Sequence, residues 1–431
     1  MATHEELVQD AAPPAERQTG ICDLFLGITS LTDVDALRTQ GSAAVAALAA
    51  SLGAPTESLR VTLAYPGMEP PSDASSDSSA PQPGSPHLRL VSYALPGSDA
   101  ATTPWAVAAA SQRALLALAA ESQAKACVLL NADLGLLAAG PLTQLALPVL
   151  EKRAELVLPI YGQGRYDSLL NHSILAPLTR ALYGKRVHFP LASDYAISSR
   201  LVARLLQSAH SAAHANAGSI LWPATVAATI DAPVAEAPVS LQHATRTEGL
   251  DLSTLISQLV GSVFADMEHN APLWQRVRGS QTSLPSPAAR LQLTPGDPGE
   301  HTPDPQPMIA SFLLGWRSLQ EVWGLVLPPV TLLELKRLTL VPTDRFRLPD
   351  ELWARIIYDF ALAYRLRNIG RTHLLGALTP LYLGWVASYV NEWTHETTPS
   401  HQQRHERLAK AFEDGKPYLV RRWRWPDRFN P

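Results

Sequence analysis

The chain is poor in cysteine and in charged residues. Cys22 and Cys127 are the only two cysteines among 431 residues, and both stand in apolar, strand-like runs. Such usage excludes a disulfide scaffold and favours two small core residues in a reducing cytoplasm. Charged residues make up only 17% of the chain, and the formal net charge is −4. Because this balance is close to neutral, we expect no nucleic-acid polymer as a partner.

The sequence also lacks the pattern of a secretory signal or a membrane span. Residues 1–19 are polar and contain no apolar core of the kind that a signal peptide needs, so we expect a disordered tail. The apolar run at residues 105–120 is interrupted by Ser111, Gln112 and Arg113 and is too short to cross a bilayer. We therefore expect a cytoplasmic protein without a transmembrane segment.

What the sequence does contain, between residues 20 and 279, is a regular alternation of strand-like and helix-like runs. The predicted strands are 21–28, 59–65, 88–95, 125–130 and 155–161, and the predicted helices are 35–51, 105–121 and 140–153. Alternation of this kind predicts an α/β, Rossmann-like domain whose mostly parallel sheet carries helices on both faces. Ligands of such sheets bind beyond the carboxyl ends of the strands.

Two segments rich in proline and serine interrupt the chain, one inside this α/β region and one after it. Residues 66–87 lack a periodic apolar face and predict a mobile loop, and residues 280–307 predict a linker. Beyond it, apolar residues recur at helical spacing and predict helices at 309–323, 332–338, 350–367 and 374–393. We therefore predict an all-helical carboxyl-terminal domain at 308–431. The sequence does not set the oligomeric state, and a homodimer contact is expected in this helical unit if one forms.

Several short segments follow one another in an order that is typical of a known group. They are residues 158–161, 165–167, 176–184, 190–198, 260–262, 278–280, 348–353, 358–364 and 378–384. On these segments the chain resembles the bacterial family-2-like glycosyltransferases that are similar to mannosylglycerate and glucosylglycerate synthases. The resemblance covers most of the chain. It implies a GT-A-like nucleotide-sugar domain at residues 20–279, followed by the helical domain.

The resemblance implies a transferase that moves a sugar from a nucleotide-sugar donor to a small acidic acceptor such as glycerate. In the family, two carboxylates in an Asp-x-Asp triplet hold a divalent cation; here the triplet is Asn131-Ala132-Asp133, directly after a predicted strand. Asn131 and Asp133 are thus the implied donor-binding residues, and together with His243 they are the implied ligands of Mg²⁺ or Mn²⁺. Taken alone, a single histidine such as His243 in a polar loop is more often solvated.

Three further residues are candidates for catalysis and for acceptor binding. Asp194 and Asp167 are the implied catalytic carboxylates, and Arg165 is the implied clamp of the acceptor carboxylate. Asp167 stands at the start of a helix predicted over 168–182, so a capping role is an equal alternative. Arg165 near the same helix start is equally consistent with a surface arginine.

Several positions depart from the family pattern, and each departure removes a chemical group. They are Asn131 in place of Asp, Ala192-Ser193 in place of Gly-Gly, Ile220 in place of Asp, residues 103–105 in place of a Gly-Lys-Gly loop and residues 65–67 in place of Asp-Gly-Gly. Relative to that pattern, the chain lacks a negative charge at residue 131, the space that two glycines leave beside the backbone, and a carboxylate at residue 220. A catalytically impaired homologue that serves as a binding or scaffolding module is therefore the alternative function.

Two polar features at the carboxyl-terminal end have simpler interpretations. His401 and His405 stand four residues apart in a charged helix, where a solvated surface is expected. The basic and aromatic run at 421–425 is expected to dock on the protein's own surface, with a phosphate-bearing partner or a membrane surface as the alternative.

Overall fold

The computed structural model of the chain describes most of its residues. The described ranges are 22–29, 34–67, 87–94, 104–131, 139–162, 164–209, 220–242, 251–284, 302–395 and 401–426. The tail predicted at 1–19, most of the loop predicted at 66–87 and most of the linker predicted at 280–307 therefore lie outside the described residues.

A seven-stranded sheet organises the first half of the chain. Its strands are β1 Leu24–Ile28, β2 Arg60–Pro66, β3 His87–Tyr93, β4 Ala126–Leu130, β5 Leu156–Gly162, β7 Tyr195–Ser198 and β8 Val234–Gln242, while β6 Lys185–Arg186 and β9 Gln281–Thr282 form a separate ribbon. The order across the sheet is β3-β2-β1-β4-β7-β5-β8. All neighbours are parallel except β7, which runs antiparallel to β4 and β5. The prediction of a mostly parallel α/β sheet is confirmed.

Helices pack on the sheet because its central strands need cover on both faces. Every residue of β1 and of β4 is buried, which is why these strands read as continuous apolar runs rather than as alternating ones. The helices of this part are α1 Val34–Ser51, α2 Pro104–Glu121, α3 Ala139–Leu150, α4 Ala176–Tyr183, α5 Ser199–Ala209 and α6 Pro223–Thr229. Among them α1 packs against α3, and α2 packs against α5.

The remaining described elements are helices. They are α7 Leu252–His269, α8 Ala271–Trp274, α9 Pro305–Ser318, α10 Gln320–Val326, α11 Pro329–Leu338, α12 Asp350–Leu366, α13 Arg371–His395 and α14 His401–Arg424. The prediction of an all-helical carboxyl-terminal region holds for the described residues from 302 onward, where no strand is present. The single helix predicted at 309–323 is wrong, because the chain breaks at Leu319 into α9 and α10.

The core of the helical region extends back into the first half of the chain. Buried residues of α4 and α7, such as Leu178 and Phe264, belong to the same apolar cluster as the helices after residue 305. The indole N–H of Trp353 donates to the backbone oxygen of Ser173 at 2.9 Å. We call this cluster the helical core, and it joins the two parts of the chain. Among the described residues, no helix is both long and apolar enough to span a membrane.

Candidate functional site

The strand order of the sheet reverses between β1 and β4, and this reversal marks the natural ligand site of an open α/β sheet. The two strands run parallel and end level with each other, with Ile28 opposite Leu130. The next residues are Thr29 and Asn131. Thr29 donates its backbone N–H to the Leu130 oxygen at 3.0 Å, and its hydroxyl lies 3.4 Å from the side-chain oxygen of Asn131. We call this place, at the carboxyl ends of the central strands β1 and β4, the sheet edge.

Asp194 lies at the sheet edge and joins three segments of the chain. One carboxylate oxygen accepts the backbone N–H of Asn131, and the other accepts the hydroxyl of Tyr161, both at 2.6 Å. Asp194 is buried. Burial and the negative charge of Asp194 raise the pKa of Tyr161 well above its usual value, so this tyrosine remains a proton donor at neutral pH. The structure therefore brings together two predicted site residues, Asn131 and Asp194.

Tyr161 is a site residue that the sequence did not identify. It stands in the segment 158–161, which contributed to the resemblance, but nothing in the sequence showed that its hydroxyl reaches Asp194. Its ring also packs edge-on against Phe189, with the ring centres 5.0 Å apart. Buried tyrosine hydroxyls need a hydrogen-bond partner. The position of Tyr161 at the end of a buried strand is the sequence feature from which such a contact could have been predicted.

Ala192, Ser193 and Ile220, at which the sequence departs from the pattern it resembles, are buried. Ala192 belongs to the apolar core of the sheet, and Ser193 is also buried. Ile220 lies in the helical core together with Trp222. Because these side chains occupy the interior, none of them supplies a group to the sheet edge.

Asp167 occupies a turn rather than a helix start. Its carboxylate accepts the backbone N–H of Gly164 at 2.8 Å, and its side chain is exposed. The helix predicted at 168–182 is present over residues 169–183, with a π-helical turn at Asn171–Leu175 before α4. Among the described hydrogen bonds, the Asp167 carboxylate accepts from the turn before this helix and not from the first turn of the helix, so it does not have the capping role that the sequence offered.

Arg165 contacts the helical region. Its guanidinium lies 4.4 Å from the ring centre of Trp393, and its backbone oxygen accepts the hydroxyl of Tyr389 at 3.1 Å. A guanidinium stacked on an aromatic face keeps its in-plane N–H groups for a carboxylate. The position is compatible with a clamp, but no described contact joins Arg165 to Asn131 or Asp194.

Two of the predicted metal ligands, Asp133 and His243, lie outside the described residues. In the part of the chain that the structure describes, no three His, Cys, Asp or Glu side chains are arranged to hold a metal ion. The donor set of one amide oxygen, one carboxylate and one imidazole does suit Mg²⁺ or Mn²⁺ chemically. The side-chain oxygen of Asn131 lies at the sheet edge.

His401 and His405 are not a solvated surface, so that prediction is wrong. The ring of His405 stacks on that of the buried His172, with centres 4.1 Å apart, and His401 lies 4.1 Å from His405. All three line a cavity between α4, α14 and the sheet. The run at 421–425 docks on the protein as expected, since Arg422 and Trp423 are buried, although Trp425 is exposed.

In comparisons with known proteins, no family model matches this chain, and no curated protein matches it significantly.

Proposed function

We propose that the sheet edge binds a nucleotide sugar and that the protein transfers the sugar to a small acidic acceptor such as glycerate. The observation that carries the proposal is the contact between Asn131 and Asp194 at the point where the strand order reverses. The resemblance noted in the sequence, with its GT-A-like domain, agrees with this location.

The proposed cation is Mg²⁺ or Mn²⁺, which Asn131 would hold with Asp133 and His243. When bound, such a cation offsets negative charge on the diphosphate that leaves. The chain's own groups have the remaining tasks. Tyr161 and Asp194 fix the end of β4, because the carboxylate holds the backbone of Asn131 at 2.6 Å. Asp194 thereby positions the amide that faces the donor.

Arg165 is the proposed acceptor-binding residue. Stacking on Trp393 holds the plane of its guanidinium, so its N–H groups are oriented before the acceptor arrives. Asp167 contributes indirectly in this proposal, since it closes the turn that carries Arg165. A carboxylate at the acceptor would form charge-assisted hydrogen bonds with the guanidinium.

The proposed location is the cytoplasm. Cys22 and Cys127 are both free and buried, and burial raises the pKa of each thiol. Thiols of this kind are compatible with a reducing compartment.

Calorimetric titration with UDP-, GDP- and ADP-sugars, each with and without Mn²⁺, tests the donor part of the proposal. We expect metal-dependent binding of one nucleotide class, and we expect Asp133→Ala to abolish it. Asp231→Ala is the matched control, because Asp231 is an exposed aspartate at the opposite end of the sheet, before β8. Absence of binding for every nucleotide sugar would remove the proposal.

A binding module without transferase activity is the second candidate, and the state of Asp194 favours it. Both of its oxygens are already hydrogen-bonded, and the neighbouring Ala192 and Ser193 are packed inside the protein. The two candidates are separated by incubating the protein with a nucleotide sugar and D-glycerate and measuring the nucleoside diphosphate that is released. Turnover supports the transferase, whereas saturable binding without turnover supports the module.

A further inference from the structure

The exposed apolar side chains of the described residues are concentrated in one short part of the helical region. Seven large apolar side chains are exposed in the part of the chain that the structure describes, and five of them lie between residues 314 and 340. These five are 50–80% exposed, and they are Leu314, Leu325, Val330, Leu333 and Leu340. Single exposed leucines are ordinary, whereas a concentration of them marks a contact surface.

The periodicity of helix α11 places several of these side chains on one face. Thr331, Leu335 and Leu338 form its buried stripe, on the side where α11 packs against α12. At 3.6 residues per turn, Leu333 lies opposite this stripe. Leu340 continues the same face, because its backbone N–H donates to the oxygen of Arg337 at 3.1 Å and extends the helical turn beyond Leu338.

The preceding helix adds Leu325 to the same side. Helices α10 and α11 both pack against α12, and only Leu327 and Pro328 separate them. The exposed side chains of this helix pair therefore project on the side that is turned away from α12. We call the surface formed by Leu325, Val330, Leu333 and Leu340 the leucine face.

Two cations flank the leucine face. Lys336 and Arg337 are exposed on either side of the line from Leu333 to Leu340, and among the described residues neither of them has an ion-pair partner. Glu334, the carboxylate of α11, is already paired with Arg355 at 2.7 Å.

The wider segment is also more basic than the rest of the chain, whose formal net charge is −4 in total. Between residues 314 and 347 there are five cations, Arg317, Lys336, Arg337, Arg345 and Arg347, and three carboxylates, Glu321, Glu334 and Asp344. Glu321 stands in the first turn of α10, at the far end of the helix pair from Lys336 and Arg337. The leucine face therefore combines apolar side chains with local positive charge.

This combination favours an anionic lipid surface over a second copy of the chain. In a two-fold dimer the face would pair with itself, and the cations of the two copies would be brought together. At a bilayer surface, leucine side chains enter the boundary between headgroups and acyl chains, while lysine and arginine reach the lipid phosphates.

We propose that the leucine face is a peripheral binding site for an anionic lipid bilayer, with α11 lying parallel to the membrane plane. Leu333 and Leu340 form the centre of the inserted surface, and Lys336 and Arg337 contact the lipid phosphates. The helix lies on the membrane and does not cross it. The proposal does not depend on nucleotide binding or on sugar transfer at the sheet edge.

The test is co-sedimentation of the full chain with vesicles of phosphatidylcholine, with and without phosphatidylglycerol. One double variant, Leu333→Gln/Leu340→Gln, removes the apolar centre, and a second, Lys336→Gln/Arg337→Gln, removes the charges. All four side chains are exposed, so the fold should survive. The matched controls are Leu284→Gln and Arg204→Gln, because both residues are exposed and belong to the α/β part of the chain.

We expect the parent to bind the vesicles that contain phosphatidylglycerol, to bind phosphatidylcholine alone more weakly, and to be released by high salt. The affinity should fall by about tenfold for each leucine removed and by about fivefold for each charge removed. Both controls should match the parent.

The proposal is overturned if the parent binds neither kind of vesicle, if it binds both equally well, or if the two double variants bind like the parent. Sedimentation velocity without lipid supplies the remaining outcome. A parent that is dimeric, together with a monomeric Leu333→Gln/Leu340→Gln variant, would overturn the proposal, because the leucine face would then be a contact between two copies.

Discussion

Buried charges are held in different ways in the helical core and at the sheet edge. In the helical core, Arg404 is 3% exposed and pairs with Asp350 at 2.9 Å and with Glu392 at 2.7 Å. At the sheet edge, the described partners of Asp194 are a tyrosine hydroxyl and a backbone N–H, which are both uncharged.

The difference separates a packing role from a binding role. An opposite charge cancels the field of a buried ion, so the network around Arg404 fixes the position of α14 against α12 and α13. Dipoles orient a carboxylate without cancelling its formal charge. The geometry of Asp194 agrees with the binding role proposed for the sheet edge.

The largest expected effect comes from breaking the network on the helical side. Arg404→Met leaves Asp350 and Glu392 buried with only the half-exposed Arg407 as a cation. We expect the free energy of unfolding to fall by about 3–5 kcal/mol. Denaturant unfolding followed by tryptophan fluorescence measures this, since Trp353 and Trp385 are buried in the same core. Lys410→Ala, which breaks an exposed ion pair, should leave the midpoint unchanged.

Lowering the pH should reduce the free energy of unfolding through His172, which lies at the contact between the two regions. Its folded pKa of about 3 lies below the ordinary value of 6.5, so the unfolded chain binds the proton first as the pH falls. Stability is thus unaffected above pH 6.5 and decreases toward pH 3. Between pH 6.5 and 5 the loss from this group is about 2 kcal/mol.

The check is the slope of unfolding free energy against pH in the parent and in His172→Phe, which keeps a ring in place. The variant should have the shallower slope. His401, His405 and His188 also face His172 and remain in both proteins, so the difference in slope comes from His172 and from its electrostatic effect on these neighbours. Equal slopes would contradict the burial of an uncharged His172.

A smaller effect is expected from removing one donor at the sheet edge. Tyr161→Phe deletes the hydroxyl that Asp194 accepts, and we expect a loss of about 1.5 kcal/mol in stability. Tyr195→Phe is the matched control, because the buried Tyr195 hydroxyl in the same sheet has no hydrogen-bond partner among the residues that the structure describes. Thermal unfolding should show the first variant destabilised and the second unchanged or stabilised. If Tyr195→Phe were the more destabilised variant, the hydrogen bond from Tyr161 to Asp194 would not stabilise the protein.

The smallest loss of stability is expected from replacing Arg165, which lies at the contact between the regions. Arg165→Ala removes the guanidinium from the face of Trp393 and should cost about 0.5–1 kcal/mol. Trp393 should also change its fluorescence in the folded protein. An unchanged spectrum together with unchanged stability would show that the stacking is absent in solution.

The sheet was predictable from the sequence because its strands are continuous apolar runs separated by helices. The predicted strand at 59–65 is shifted by one residue from β2, and the predicted strand at 125–130 begins one residue before β4. The short strand β7 was missed, since four residues give too little pattern to detect.

The site was only partly predictable, for a different physical reason. Asn131 and Asp194 were candidates because of the resemblance noted in the sequence, and the structure brings them together. The stacking of His172 on His405 joins residues that are far apart in the chain, and no local periodicity encodes such a contact. The break at Leu319 was likewise invisible, because the apolar spacing continues across it.

The most direct test of the central claim, that the sheet edge binds a nucleotide sugar with a cation, is to restore the missing charge. Asn131→Asp should lower the unfolding midpoint in the absence of metal, because it places a second carboxylate on the residue whose backbone N–H Asp194 accepts. In calorimetric titrations with Mn²⁺ and the preferred nucleotide sugar, it should bind about tenfold more tightly than the parent. Titrations in which neither protein shows metal-dependent binding would contradict the account.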